Sequence, residues 1–393
     1  MASRRPSRAA LAMFADRPPR ALVALILLGI ANHSVLAGSR VAVALDALNM
    51  GASPFTVGVL MALYALLPML LAVSAGRYCD RVGARRPMLV GCALIAAGAS
   101  LPFLSRGMPA LFASAALLGV GFMVFQVAAQ NATGELGGDD RARSFSLLAL
   151  GYSVSGFVGP LVAGLTIDHL GFAAAFALFA LLPLLPLAVL ARARLGLPGP
   201  HPAAAPRQRG AVLDLLRHPT LRRVFAINAL LAVGWDLHTV FVPIYGARLG
   251  LSASEIGLVL SSFAAATFVI RFAMPYLARH FREEQVLTAA LLVAGGVYLV
   301  FPFARSTALL LPLSFCLGLG LGSGQPMVMS LLHAHAPAGR MGEAAGVRMA
   351  LVQSMAVAVP LLFGALGTSV GIGPVFWSVG ATLTASGVLS RRR

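Results

Sequence analysis

Lysine is missing from this 393-residue chain altogether, and acids are few: 13 Asp and Glu stand against 30 basic residues, every one of them Arg. Charged residues make up only 11% of the sequence and hydrophobic ones 59%, with a mean hydropathy of +0.86. So little charge on so apolar a chain excludes a solvated, disordered protein. Cysteine is scarce as well. Cys79, Cys92 and Cys316 form no spaced set, so neither a disulfide framework nor a zinc site is expected. His333 and His335 at a loop end fall short of a metal site, and no metal or other cofactor is expected. The chain also lacks a phosphate-binding loop of the P-loop kind and any nucleophile–base constellation, which argues against ATP as the energy source and against an enzyme.

What the chain has is long apolar runs. A helix needs about 20 apolar residues to cross the hydrocarbon core at about 1.5 Å rise per residue. Twelve stretches qualify, near 21–45, 54–75, 86–104, 109–133, 143–167, 171–191, 223–246, 254–276, 284–304, 307–331, 341–366 and 370–390. The expected fold class is therefore an all-α polytopic membrane protein. Residues 195–210 are rich in Pro, Ala and Arg without apolar periodicity and read as a flexible linker. Beyond them Val212, Leu213, Leu215, Leu216 and Leu221 alternate with Asp214, Arg217, Arg222 and Arg223, the pattern of a short surface helix. The expected organisation is a basic tail (1–20), a six-helix bundle (21–194), a linker with an amphipathic helix (195–218), a second six-helix bundle (219–390) and a short tail (391–393).

A formal charge of +17 suggests nucleic acid until its distribution is considered. With the N-terminus inside, the inner segments hold Arg4, Arg5, Arg8, Arg17, Arg20, Arg77, Arg81, Arg85, Arg86, Arg141, Arg143, seven Arg between 192 and 223, Arg279, Arg282, Arg340 and Arg391 to Arg393. The outer segments hold only Arg106, Arg248 and Arg305. That bias is the positive-inside rule. It places both termini in the cytoplasm of a bacterial-type inner membrane, with anionic lipid rather than nucleic acid as the partner of the basic face. Ser3-Arg4-Arg5 and Val35-Leu36-Ala37 offer faint export and cleavage signals, but eleven further spans favour an uncleaved first helix.

The second half repeats the first at an offset of 199 residues. Gly51, Ser53 and Gly58 return as Gly250, Ser252 and Gly257; Gly119, Gly121 and Gln126 return as Gly318, Gly320 and Gln325; Arg141 returns as Arg340. An even number of spans per half makes the two six-helix repeats parallel. Parallel repeats of this kind are a transporter design, with the substrate site on the axis between the halves. One chain then holds both halves, so a monomer is expected.

The loop between spans two and three reads Gly76-Arg77-Tyr78-Cys79-Asp80-Arg81-Val82-Gly83-Ala84-Arg85-Arg86. It resembles the G-x-x-x-D-R-x-G-x-R-R signature of the major facilitator superfamily, in the loop where that family carries it. The resemblance implies a cytoplasmic latch that steadies the outward-open state by docking on the other half, built here from Gly76, Asp80, Arg81, Gly83 and Arg85. Gly76 is expected to permit close helix approach and Gly83 a tight turn. At the same offset the second half has Pro275, Arg279 and His280, so the latch is expected to be asymmetric. The fifth span carries Ser155-Gly156-Phe157-Val158-Gly159-Pro160-Leu161-Val162-Ala163-Gly164, which is similar to the Gly-Pro motif of proton-coupled exporters in that superfamily. It implies a kinked helix at Gly159, Pro160 and Gly164, although Ser155 stands where the motif has Gly. The fourth-span arginine of those exporters has Ala115 in its place.

Polar groups at membrane depth are costly and are functional candidates by default. Among the acids only Asp236 falls near the middle of a span, and Arg40, Arg271 and Arg348 are the basic residues at depth, with His33 and His238 beside them. Positions 33, 37 and 40 share one helical face, as do 232, 236 and 239. His33 and Arg40 are therefore expected to face Asp236 across the pseudo-twofold axis, as an ion pair or a proton-coupling centre on which loss of water and a nearby guanidinium act in opposition. A purely structural pair is the alternative. Gln126, Gln325, Trp235, Asn32, Tyr152 and Arg348 are the expected substrate-binding residues; Arg348 has no charged repeat mate, and snorkelling is its alternative. Arg271, nearer the inner end, is expected to snorkel. The expected function is alternating-access secondary transport of a small solute, first as proton-exchanging efflux of a drug, sugar or metabolite. Uptake or facilitated passage of a small organic anion is the alternative, and a non-transporting membrane sensor stands outside that class.

Overall fold

The computed structural model describes residues 19–137, 141–193, 195–199, 215, 217–336 and 341–391. The basic tail, Arg340, the last two arginines and most of the linker with its expected surface helix lie outside them. The described helices are α1 (Arg20–Asn49), α2 (Pro54–Val82), α3 (Arg85–Leu104), α4 (Met108–Leu136), α5 (Arg141–Leu181), α6 (Leu184–Arg192), α7 (Pro219–Arg248), α8 (Ala253–His280), α9 (Glu283–Val300), α10 (Thr307–His335), α11 (Met341–Ser369) and α12 (Ile372–Arg391). No strand occurs among the described residues.

Eleven segments are long and apolar enough to cross a bilayer, and one of them, Arg143–Arg192, runs for 50 residues. At about 1.5 Å per residue it is far longer than one crossing needs. It leaves helical angles at Gly171 (φ 82°, ψ 172°), a conformation in which a Cβ is strained. The segment is thus two crossings joined by a glycine turn, completing the expected twelve. Leu221, Arg222 and Arg223, expected on a separate surface helix, belong to the first turn of α7, because Pro219 is well placed at a helix start.

The repeated residues build repeated structure. Gly51 and Gly250 turn the chain after α1 and α7 with φ of 80° and 74°. Ser53 and Ser252 then cap α2 and α8, accepting from the N–H groups of Thr56 and Glu255 at 3.2 Å in each case. Gly119 packs on the Tyr64 carbonyl, and Gly318 packs on the carbonyl of Phe263, the repeat mate of Tyr64.

The two bundles, α1–α6 and α7–α12, meet chiefly through α5 with α8 and α2 with α11. Each seam is made of bare backbone. A Cβ on Gly257 would strike the Pro160 carbonyl, and one on Gly58 would strike the Pro360 carbonyl. Nearby, Asp168 of α5 caps α8: the N–H groups of Ala253 and Ser254 donate to its Oδ1 and Oδ2 at 3.0 and 2.7 Å. Its counterpart Thr368 accepts from Phe55 N–H of α2 at 3.1 Å. These pairs show that the repeat offset has grown from 199 to 200 by residue 160.

These contacts sit on the face opposite the one from which α1 starts. Toward the starting face, here the terminal face, the halves separate: a Cβ on Gly76 of α2 or Gly346 of α11 would meet nothing within 4 Å. The chain is thus closed on its distal face and open on its terminal face.

Gly257→Val forces α8 off the Pro160 carbonyl and is expected to cost about 1–3 kcal/mol, read as a lower midpoint of thermal unfolding in detergent. Gly296→Ala, where a Cβ has open space, is expected to leave the midpoint in place. Equal midpoints for the two variants would remove the seam contact as a structural requirement.

Candidate functional site

Between the halves lies a cavity of about 440 Å³, within the range of pockets that enclose small organic ligands. It extends from Pro160 and Leu260, beside the distal seam, to Phe145, Arg271 and Met349 nearer the terminal face. From α1 it receives His33, Leu36, Ala37, Arg40 and Val41, the repeating face expected from the sequence. Gln126 and Gln130 of α4 and Gln325 of α10 enter from opposite halves; Tyr152 and Ser153 of α5 and Trp235, His238 and Thr239 of α7 complete the polar lining.

Two expected residues turn elsewhere. Asn32 is fully buried and donates from Nδ2 to the Leu28 carbonyl at 3.2 Å and the Cys92 sulfur at 3.3 Å, so it joins α1 to α3 behind the cavity. Arg348 is buried at 8% exposure but is not part of the lining, where its neighbour Met349 stands instead. The spacing argument put both on interior helices without fixing which way each faces.

Asp236 needs a finer correction. It is buried at 7% exposure but sits at the edge of the α7 face that lines the cavity, which is carried by Trp235, His238 and Thr239. Arg40 is the charge that acts on its carboxyl, and the Asp236 charge in turn reaches Tyr298 of α9. No direct ion pair forms between Arg40 and Asp236 in this conformation; the Arg40 guanidinium lies over the Tyr64 ring, 5.6 Å from its centre. The expected pair is thus an interaction at longer range across the interface of the halves.

His33 hydrogen-bonds through Nδ1 to Ser155 Oγ at 2.5 Å and packs between the rings of Phe122 and Tyr152. The departure of Ser155 from the fifth-span motif therefore has a use: it anchors a cavity imidazole. The motif's glycines serve packing. Gly159 rests on the backbone of α1 at Ser34 and Gly38, and Gly164 rests on the start of α8. Pro160 lies within α5, and the chain leaves helical angles only later, at Gly171.

Arg271 is the residue that the sequence reading placed wrongly. It does not snorkel: its Nη1 donates across the seam to the Ala149 carbonyl at 3.1 Å and Ser153 Oγ at 2.8 Å, and it lines the cavity. The apolar span of its helix ends only three residues beyond it, at Met274, but the α5 oxygens hold its guanidinium inside the cavity. His238, also at cavity depth, stacks on Phe263 at 4.3 Å and bonds through Nε2 to Ser314 at 3.0 Å.

The α2–α3 loop stands apart at the terminal face. Gly83 makes its turn with φ 78°. Arg85 donates to the carbonyls of Leu190 and Ala191 at 2.8 Å each, a cation on the C-terminus of α6. Asp80 accepts from Asn131 of α4 at 3.5 Å, a partner in its own half, and Arg81 is exposed. The close approach expected at Gly76 is absent in this open arrangement.

A deep cavity between two related helical bundles, with a basic loop poised at its mouth, is the plan of a carrier. Comparison with known proteins agrees. The tetracycline resistance protein of class D from Salmonella ordonez is 24% identical over 334 residues, 83% of this chain and 84% of that protein. The class C protein from Escherichia coli is 26% identical over 343 residues, with the same coverage of each. A peptide transporter POT solved with sulfate superposes with a TM-score of 0.79 at 19% identity, over 95% of this chain and 94% of that one. At that identity the likeness speaks for the fold alone. The profile of the Major Facilitator Superfamily matches residues 21–360, and the chain is an integral membrane transporter belonging to that superfamily.

Proposed function

We propose that the protein is a proton-coupled exporter of a small organic solute, acting in the bacterial-type inner membrane with its terminal face in the cytoplasm. The observation that carries the reading is Asp236, a lone carboxyl buried at mid-membrane behind the cavity wall and sensed by Arg40 from the other half. A buried acid in that position responds to both proton and substrate without leaving its helix. The tetracycline resistance relatives support export; their drug is not carried over, because one fold serves many solutes.

In this reading the open terminal face loads solute from the cytoplasm. Closure there brings α2 and α11 together, so that Gly76 finds its neighbour and the Asp80 loop docks on the second half. The distal caps at Asp168 and Thr368 must then release. The alternation is a rocking of two bundles about a fixed site.

Proteoliposomes with an imposed pH gradient and a fluorescent proton reporter test the coupling. Solute-triggered proton movement is expected in the wild type and its loss in Asp236→Asn, with solute-for-solute exchange retained. Flux indifferent to the gradient in both proteins would sink the role, and failure of every solute in a broad panel to move would return the sensor reading. Gln126→Ala is expected to raise KM about three- to tenfold, the worth of one hydrogen bond. Asn32→Ala is expected to lower the thermal midpoint with KM unchanged, since its bonds lie behind the cavity.

A further inference from the structure

Among the described residues, no acid forms an ion pair with either guanidinium group of the central cavity. Arg40 is half-buried, and its contact in the protein is the face of Tyr64. Arg271 spends its two bonds through Nη1 on neutral oxygens, and neither Nε nor Nη2 has a hydrogen-bond partner among the described residues. Both line the same cavity, Arg40 from α1 and Arg271 from α8. No Asp or Glu is among the residues that line it. A cation held out of bulk water without a partner is costly, and the cost is relieved when a ligand brings the opposite charge.

Beside the charged region lies an aromatic wall. The Trp235 ring meets Phe263 edge-on at 4.7 Å, and His238 stacks on the other ring system at 4.3 Å. Such a surface takes a flat apolar body, as ligand pockets with a few convergent polar groups do. We infer that the substrate is an organic anion, with a carboxylate, sulfonate or phosphonate head between Arg40 and Arg271 and an apolar, aromatic body against Trp235 and Phe263.

This inference rests on the carrier reading for the purpose of the cavity, but equilibrium binding tests it without transport. The chain has two tryptophans, and Trp377 lies on α12 at 41% exposure, so a Trp377→Phe background leaves Trp235 as the reporter. Quenching by 4-nitrobenzenesulfonate, 4-nitrobenzyl alcohol and 4-nitrobenzylammonium compares one body with three charges. The sulfonate is expected to bind most tightly, with its Kd rising about ten- to hundredfold in Arg40→Ala and in Arg271→Ala and part of the loss recovered in Arg40→Lys. Preference for the alcohol or the ammonium, saturable quenching by none of the three, or a sulfonate Kd unchanged in the arginine variants would overturn the assignment. Sulfonate binding without solute-linked proton flux would instead strike at the exporter reading and leave the substrate class standing.

Discussion

Two bundles of apolar helices in a bilayer have little hydrophobic reason to stay together, because lipid tails are as apolar as the side chains they replace. What joins these bundles is backbone resting on backbone. At Gly257 against Pro160, and again at Gly58 against Pro360, the absence of a Cβ lets one helix settle on a carbonyl of the other half. The contacts are short and shape-dependent, so they form fully or not at all. Placing both on the distal face holds that face shut, and the terminal ends are left to splay around the cavity.

The two seams are unequal, and the inequality gives the molecule a pivot. Along α5 and α8 the contacts continue from the Asp168 cap through the Ser261 hydroxyl on the Phe157 carbonyl at 2.7 Å to Arg271 on Ala149 and Ser153. Along α2 and α11 they begin with the Thr368 hydroxyl and have ended by Gly76 and Gly346. A carboxylate receiving two backbone N–H groups is also a stronger cap than a hydroxyl receiving one. The halves are therefore joined along one edge and free along the other, and the Asp80 loop lies on the free edge. That is where a latch acting between the halves has leverage.

Much of this was legible because repetition is a physical statement. Gly51, Ser53, Gly58 and Gly119 recur since each half needs the same turn, the same cap and the same close approach. Span count followed from apolar length. What the sequence hid was orientation. Asn32 and Asp236 lie on interior helices, as their depth requires, yet one residue of rotation about the helix axis decides whether a side chain enters the cavity or the bundle behind it. Arg271 was misplaced because the sequence does not show the α5 oxygens, at Ala149 and Ser153, that hold its guanidinium inside the cavity. The one-residue slip in the repeat also needed the paired contacts at Pro160 and Pro360 to become visible.

The unpaired guanidiniums bear on a problem that every carrier faces, which is to close only when loaded. With the terminal face open, water reaches Arg40 and Arg271 and screens them. Closure expels that water, and two like charges would then share a dry cavity with one carboxylate behind its wall. The electrostatic penalty grows as the local dielectric falls, so an empty cavity resists closing. An anion between the two arginines cancels the penalty, and the same closure becomes permissible. The arrangement thus ties movement of the bundles to occupancy through charge alone, with no moving gate inside the cavity.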